Sequence, residues 1–125
     1  MNGVLITAGG NGIGWAMGHA FAAAGYRGWV TDVEPASLDA CPAEWQKSLV
    51  DASDETQVAD LFAEIHKTWG RLEAICANAG IAGPTAAVEE IDLSAWQRCV
   101  SVNLEGAFLA AKYGGPMLKA ARGAM

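Results

Sequence analysis

A glycine-rich turn between an apolar run and a helical pattern is the feature that most constrains this chain. Residues 4–7 form a short apolar β run, and from Gly12 onward apolar residues recur at three- and four-residue steps. Between them lie Ala8, Gly9, Gly10 and Asn11, and the glycines allow a sharp turn in which the backbone can approach a ligand closely. A strand that passes through such a turn into a helix predicts the first unit of an α/β fold.

The alternation of strand and helix patterns continues along the chain. We predict further strands at residues 28–32, 46–50 and 72–76, with helices between them and one helical turn near Ser37. Such alternation favours parallel strands joined by right-handed crossovers. The sequence therefore predicts one domain over residues 1–125, built as a partial, doubly wound parallel sheet of about four strands with helices on both faces.

Capping signals and apolar spacing give the helix boundaries. Asp54-x-x-Gln57 and Ser94-x-x-Gln97 are typical of capping boxes. The second box begins a last helix over residues 94–120, which we expect to bend near Pro116. Asn103 is predicted to be a buried amide on or beside the buried stripe of that helix, and such an amide needs hydrogen-bond partners. The stripe is predicted to comprise Trp96, Val100, Leu104, Ala107, Ala111 and Leu118.

Charge and cysteine content exclude several classes of function. The net charge of −6 leaves no basic stripe for nucleic acid, so we expect no such partner. Three cysteines without CxxC spacing predict neither a disulfide framework nor a metal site, and favour reduced thiols in the cytoplasm. No apolar run reaches the length of a membrane span, and no signal peptide or membrane anchor is expected.

The glycine turn and an acidic residue suggest a dinucleotide site. Free amides at a helix N-terminus can bind a pyrophosphate, and Asp32 ends the second strand twenty positions after Gly12. A carboxylate at this distance accepts hydrogen bonds from the adenosine ribose and repels a 2′-phosphate, which favours NAD over NADP. Two alternatives remain: a glycine turn that binds nothing, and an Asp32 that only ends a strand.

These residues resemble the short-chain dehydrogenase/reductase family, whose TGxxxGxG motif corresponds here to residues 7–14, with Ala8 in place of the first glycine. The resemblance implies a Rossmann-like fold and covers the N-terminal, cofactor-binding half of the family. It implies an adenine contact at Asp51, a counterpart of the NNAG motif at residues 77–80 with Ala77 in the first position, and Asn103 as the one matching member of the catalytic set. The cofactor-binding residues it implies are Thr7, Gly9, Gly10, Asn11, Gly12, Ile13, Gly14, Asp32, Val33, Asp51, Ala52, Asn78, Ala79 and Gly80.

The rest of the family's catalytic set has no counterpart in these residues. Neither Tyr26 nor Tyr113 is followed by lysine at the fourth position, so the family's Tyr-x-x-x-Lys pair is missing, as is its serine. We therefore expect NAD binding, weakened by truncation, without hydride transfer by this chain alone.

Three functions remain open at this stage. The chain is a truncated NAD-binding domain, a non-enzymatic dimerising module with a relict cleft, or one half of an active oxidoreductase completed by other sequence. Truncation after the last helix would leave strand 72–76 as an apolar edge. We therefore expect a homodimer through that edge, through helix 94–120, or through both.

Overall fold

Four parallel strands form one sheet in the order β3-β2-β1-β4. The computed structural model describes all 125 residues. Within the sheet, Leu5 lies opposite Trp29 on one side and Ile75 on the other. The strands are β1 Gly3–Ile6, β2 Arg27–Asp32, β3 Gln46–Leu49 and β4 Ala74–Cys76.

Five α-helices connect and cover these strands. They are α1 Gly12–Ala23, α2 Pro35–Asp39, α3 Glu55–Trp69, α4 Leu93–Val100 and α5 Gly106–Ala121. A 3₁₀ turn covers Val88–Glu90, and the π-helical segment Ser101–Glu105 joins α4 to α5. The predicted doubly wound parallel sheet is therefore confirmed.

The period-2 alternation of strand side chains builds a separate apolar core on each face of the sheet. Leu5, Trp29 and Ile75 pack with α3 and α5. Val4 and Ile6 point to the opposite face, where they pack with α1, α2 and the loop before β3. Burying each large apolar side chain contributes about 1.5–3 kcal/mol, so helices on both faces are needed to stabilise the short strands.

The capping signals in the sequence predicted the bounds of α3 correctly but placed the start of α4 wrongly. The Asp54 side chain accepts a hydrogen bond from the Gln57 amide at 3.0 Å, as the first capping box predicts. Gly70 ends α3 with a φ of 70°. The second capping box is wrong, because α4 begins at Leu93 after Asp92 and Ser94 lies inside the first turn.

The predicted buried stripe of the last helix is confirmed at Leu118 but wrong for most of its other members. Trp96 and Leu104 are 57% and 67% exposed. The π-helical segment widens one turn, which shifts the phase of the helix before and after it. Pro116 lies inside α5, and a departure from regular α-helix also occurs further upstream, at Ser101–Glu105. The residues that do become buried are Val102, Gly106, Leu109, Ala110, Gly114 and Leu118.

Strand β4 is shorter than predicted, and its outer edge is partly covered. Its regular pairing starts at Ala74, although Leu72 is fully buried in the core. Ala124 lies beside it and accepts a hydrogen bond from the Ile75 amide at 3.1 Å. The predicted edge strand is therefore confirmed as the end of the sheet, but Ala124 already occupies part of the edge that was expected to pair with another chain. None of the helices combines the length and apolar character needed to span a bilayer.

Candidate functional site

The predicted site residues meet at the carboxyl ends of the four strands. The glycine turn follows β1, Asp32 ends β2, Asp51 follows β3, and Asn78 follows β4. In doubly wound sheets this edge is where ligands bind. A cavity of about 100 Å³ lies there, lined by Ala8, Asp32, Val33, Val50, Asp51, Ala52, Ala79, Gly80, Ile81, Arg98 and Val102.

Close contacts leave no room for side chains at three of the predicted glycines, Gly9, Gly10 and Gly14. A Cβ on Gly9 would lie 2.8 Å from Val30 Cγ1. A Cβ on Gly10 would lie 2.7 Å from Asp32 Oδ2, and one on Gly14 would lie 2.6 Å from Asn78 Nδ2. Glycine at these positions lets the turn pack directly against β2 and against the loop after β4, so the backbone lines the cleft.

The N-terminus of α1 presents amide groups that have no partner within the protein. The Asn11 side chain does not cap the helix, and its Nδ2 instead donates to Ser37 Oγ at 3.4 Å. The amides of Gly12, Ile13 and Gly14 donate to no protein acceptor, whereas the first helical bond runs from the Trp15 amide to the Asn11 carbonyl. Free donors combined with the helix dipole attract anions.

Asp32 is the charged group closest to this turn. Its residue is only 7% exposed, and Oδ2 accepts from the Gly10 amide at 3.2 Å. Oδ1 accepts from the Glu34 amide at 3.1 Å. These two bonds fix the carboxylate between the glycine turn and the cavity, while Val33 beside it is 56% exposed at the cavity rim.

Thr7 and Asn78 join the first turn to the loop after β4. Thr7 Oγ1 accepts from the amides of Asn78 and Ala79, each at 3.0 Å. Asn78 Nδ2 donates to the carbonyls of Thr7 and Ala8 at 3.2 and 3.3 Å. Both side chains are therefore engaged in shaping the site, and backbone atoms form its surface near them.

Ala8 adopts a backbone conformation that favours glycine. Its φ is +51°, in the left-handed region where a Cβ crowds the backbone. This strain gives a physical reason for the first glycine of the TGxxxGxG motif, which Ala8 replaces in this chain. Ala8 nevertheless lines the cavity.

Asp51 is held by side chains from two directions. Oδ1 accepts from the Ser53 amide at 3.0 Å and from Ser53 Oγ at 2.7 Å, while Oδ2 lies 3.4 Å from Arg98 Nη2. The hydrogen bond from the Ser53 hydroxyl, aided by the Ser53 amide and by Arg98, outweighs partial burial and lowers the pKa of Asp51. The carboxylate is thus held in its charged form at the cavity wall.

Asn103 forms a bridge from the helix to a loop. Its Oδ1 accepts from the Ile81 amide at 2.7 Å, and its Nδ2 donates to the Ile81 carbonyl at 2.9 Å. Asn103 is exposed, so the prediction of a buried amide is wrong, although its side chain does have the expected hydrogen-bond partners, both at Ile81. The π-helical segment carries the residue to the helix surface.

The predicted site residues leave out five that line the cavity, which are Ala8, Val50, Ile81, Arg98 and Val102. Arg98 reaches it from α4, and Ile81 reaches it from the loop after β4. Neither carries a local motif, because each joins the site only through tertiary packing. The one available signal was the order of the segments, which places everything after β4 at the same sheet edge.

Comparisons with known proteins agree with this architecture. A family model described as short chain dehydrogenase matches residues 2–125. The levodione reductase of Leifsonia aquatica is 34% identical over 115 residues, which cover 85% of this chain and 43% of that protein. A sorbose reductase of Schizosaccharomyces pombe is 30% identical over 132 residues, with coverage of 92% and 49%.

Solved structures give the same result. A crystal structure of levodione reductase superposes with a TM-score of 0.91 at 30% identity, covering 99% of this chain and 52% of that one. A 3-ketoacyl-ACP reductase from Sinorhizobium meliloti superposes with a TM-score of 0.87 at 30% identity, covering 94% and 49%. The chain thus spans about half the length of the relatives it matches.

Proposed function

Because this chain belongs to the short-chain dehydrogenase family, we propose that it binds NAD and forms the cofactor-binding part of an oxidoreductase. The family uses nicotinamide cofactors. The observation that carries the proposal is that the unpartnered amides of α1 and the buried Asp32 carboxylate adjoin one turn.

The phosphate end of the cofactor fits the glycine turn. The free amides of Gly12, Ile13 and Gly14 supply donors for a pyrophosphate. Thr7 and Asn78 act indirectly, since their hydrogen bonds hold the turn against the loop after β4.

The adenosine end fits the cavity beside Asp32. The carboxylate would accept hydrogen bonds from the ribose hydroxyls, and Asp51 would accept from the adenine amino group. Asp32 also disfavours a 2′-phosphate, because a phosphate placed beside a buried carboxylate is strongly repelled. Val33, Ala52, Ala79 and Gly80 would complete the walls around the base. This arrangement favours NAD over NADP.

The catalytic contribution of these residues is confined to positioning. NAD would supply the hydride chemistry, and Asn103 would hold the loop at Ile81 beside the cleft. Tyr113 packs against the core formed with α3, and its neighbour Lys112 lies over its ring at 5.3 Å. With no tyrosine–lysine pair in these residues, no proton donor is positioned, and we propose that they do not reduce a carbonyl by themselves.

An apolar surface on the last helix supports a further proposal, that the fold is completed by another polypeptide surface. Trp96, Leu104 and Phe108 are 57%, 67% and 60% exposed at four- to eight-residue steps. That surface would pair with a second copy, giving a homodimer, or with the family's other half, giving an active oxidoreductase. We propose the homodimer for the 125-residue chain. A monomer by sedimentation at micromolar concentration would refute it.

The three free cysteines bear on the compartment. Burial raises the pKa of the Cys41 and Cys76 thiols, so both stay protonated and weakly reactive. Free thiols persist in a reducing environment, and we propose the cytoplasm.

Titration calorimetry tests the proposed function directly. The 125-residue chain should bind NAD at a single saturable site, and it should not oxidise or reduce the cofactor when alcohols or carbonyls are added. Absence of NAD binding would refute the proposal. Turnover by the chain alone would refute its catalytic part.

A further inference from the structure

Arg98 is the one charged side chain that reaches the cavity from the far side of the cleft. It lies on α4, whereas the other charged groups of the cavity, Asp32 and Asp51, follow β2 and β3. Its Nη1 donates to Ser53 Oγ at 2.9 Å, and its Nη2 lies 3.4 Å from Asp51 Oδ2. The guanidinium thus contacts the side chains of both Ser53 and Asp51, which lie in the short segment after β3.

These contacts leave Asp51 with one orientation. The Ser53 amide and hydroxyl both bind Oδ1, while Gln57 Oε1 accepts from the Asp51 amide at 2.8 Å and fixes the backbone. Only Oδ2 retains free acceptor capacity, and Arg98 is its sole partner in the protein. A carboxylate oxygen accepts more than one hydrogen bond, so Oδ2 can still receive an amino group from the cavity.

The contact contributes little to the stability of the fold. The side chains of Arg98 and Asp51 are 54% and 31% exposed, and ion pairs this exposed stabilise proteins weakly. A planar, two-pronged guanidinium contact fixes geometry more than it adds energy. The Arg98–Asp51 contact is therefore better suited to orienting the Asp51 carboxylate than to holding α4 against the sheet.

We infer that Arg98 is a positioning residue that aims the Asp51 carboxylate at the exocyclic amino group of a bound purine, and so selects adenine. This inference rests on the proposed function, because it takes the cavity as the adenine site. It adds a specificity determinant from α4, the helix that continues into the segment carrying Asn103.

The test compares two dinucleotides that differ at that amino group. NAD carries it, whereas nicotinamide hypoxanthine dinucleotide has a carbonyl oxygen there and cannot donate to Asp51. Wild type should prefer NAD. Arg98→Met should weaken NAD binding about fivefold and leave the hypoxanthine dinucleotide nearly unchanged, so that the preference falls. Arg98→Lys keeps the charge and should restore part of the preference.

Lys112→Met is the matched control, because Lys112 pairs with Glu55 at 3.2 Å on an exposed surface away from the cavity. It should change neither the affinity for NAD nor that for the hypoxanthine dinucleotide.

Equal losses for both dinucleotides in Arg98→Met, or no loss for either, would overturn the inference while leaving the proposed function intact. Wild type that binds no NAD would overturn both. Should Arg98→Met fail to fold, Ser53→Ala removes the other group that orients Asp51 and should lower the same preference.

Discussion

The Asp32 carboxylate accepts a hydrogen bond from the Gly10 amide at 3.2 Å, which joins the end of β2 to the turn after β1. A Cβ on Gly10 would lie 2.7 Å from the same oxygen, so this bond depends on a glycine at that position. Two features that lie 22 residues apart in the sequence therefore form one structural unit. That unit is the basis of the proposed cofactor site.

Replacing Ala8 with glycine should stabilise the protein. Its φ of +51° costs an alanine about 1–2 kcal/mol relative to glycine. The greater freedom of glycine in the unfolded chain offsets about half of this. We expect Ala8→Gly to raise the free energy of unfolding by about 0.5–1 kcal/mol, measured by urea denaturation.

The matched control for this change is Ala16→Gly in α1. Ala16 is exposed in the middle of the helix, where glycine costs about 1 kcal/mol. The same chemical change should therefore have opposite signs at the two positions. A destabilised Ala8→Gly would show that the left-handed turn is not strained.

Removing the Asn103 side chain should release the loop at Ile81. The Ile81 amide donates to Asn103 Oδ1 at 2.7 Å, and this bond protects it from hydrogen exchange. Losing a bond worth about 1 kcal/mol should speed exchange of this amide about fivefold in Asn103→Ala, measured by NMR. Glu105→Ala changes another exposed position of the same segment and should leave the Ile81 rate unchanged. Equal rates in both variants would contradict the bridge.

Asp51 should make stability depend on pH in the acid range. Hydrogen bonds from Ser53, with help from Arg98, lower the pKa of Asp51 below its ordinary value of 3.8. A lowered pKa in the folded state stabilises the fold above the ordinary pKa, and that contribution disappears as the pH falls through the folded value. Asp51→Asn should therefore be less stable than wild type at neutral pH, and the difference should shrink below about pH 4.

Urea midpoints at pH 7 and pH 3 measure this difference. Glu44→Gln serves as control, because Glu44 is exposed and its pair of midpoints should match that of wild type. Glu73 acts in the same pH range. Burial alone would raise the pKa of Glu73, but hydrogen bonds from the Gly3 amide and Arg71 lower it. Wild type and both variants therefore all keep some acid sensitivity from Glu73. A constant gap between wild type and Asp51→Asn across the two pH values would contradict the assignment.

The sequence predicted those parts of the fold that depend on local pattern. The strand order follows from alternating strands and helices, and the cap at Asp54 and the stop at Gly70 are set by neighbouring residues. The spacing from the glycine turn to Asp32 also placed these two elements at one sheet edge.

The last helix shows why other parts could not be predicted. Apolar spacing shows that Trp96 and Leu104 belong to an apolar helix face. It does not show whether that face packs against the rest of this chain or stays exposed, as both residues do here. The π-helical segment at Ser101–Glu105 then changes the phase of the helix without any proline to signal it. Arg98 was missed for a related reason, since its ion pair with Asp51 spans 47 residues and depends on tertiary packing.

The ratio of NAD to NADP affinity in wild type and in Asp32→Ala tests the central claim most directly. Calorimetry should show NAD bound at least about tenfold tighter by wild type, because the carboxylate repels a 2′-phosphate. Asp32→Ala should bring the ratio close to one, whereas Glu34→Ala, which removes an exposed carboxylate two residues away, should leave it unchanged. An unchanged ratio in folded Asp32→Ala would contradict the account.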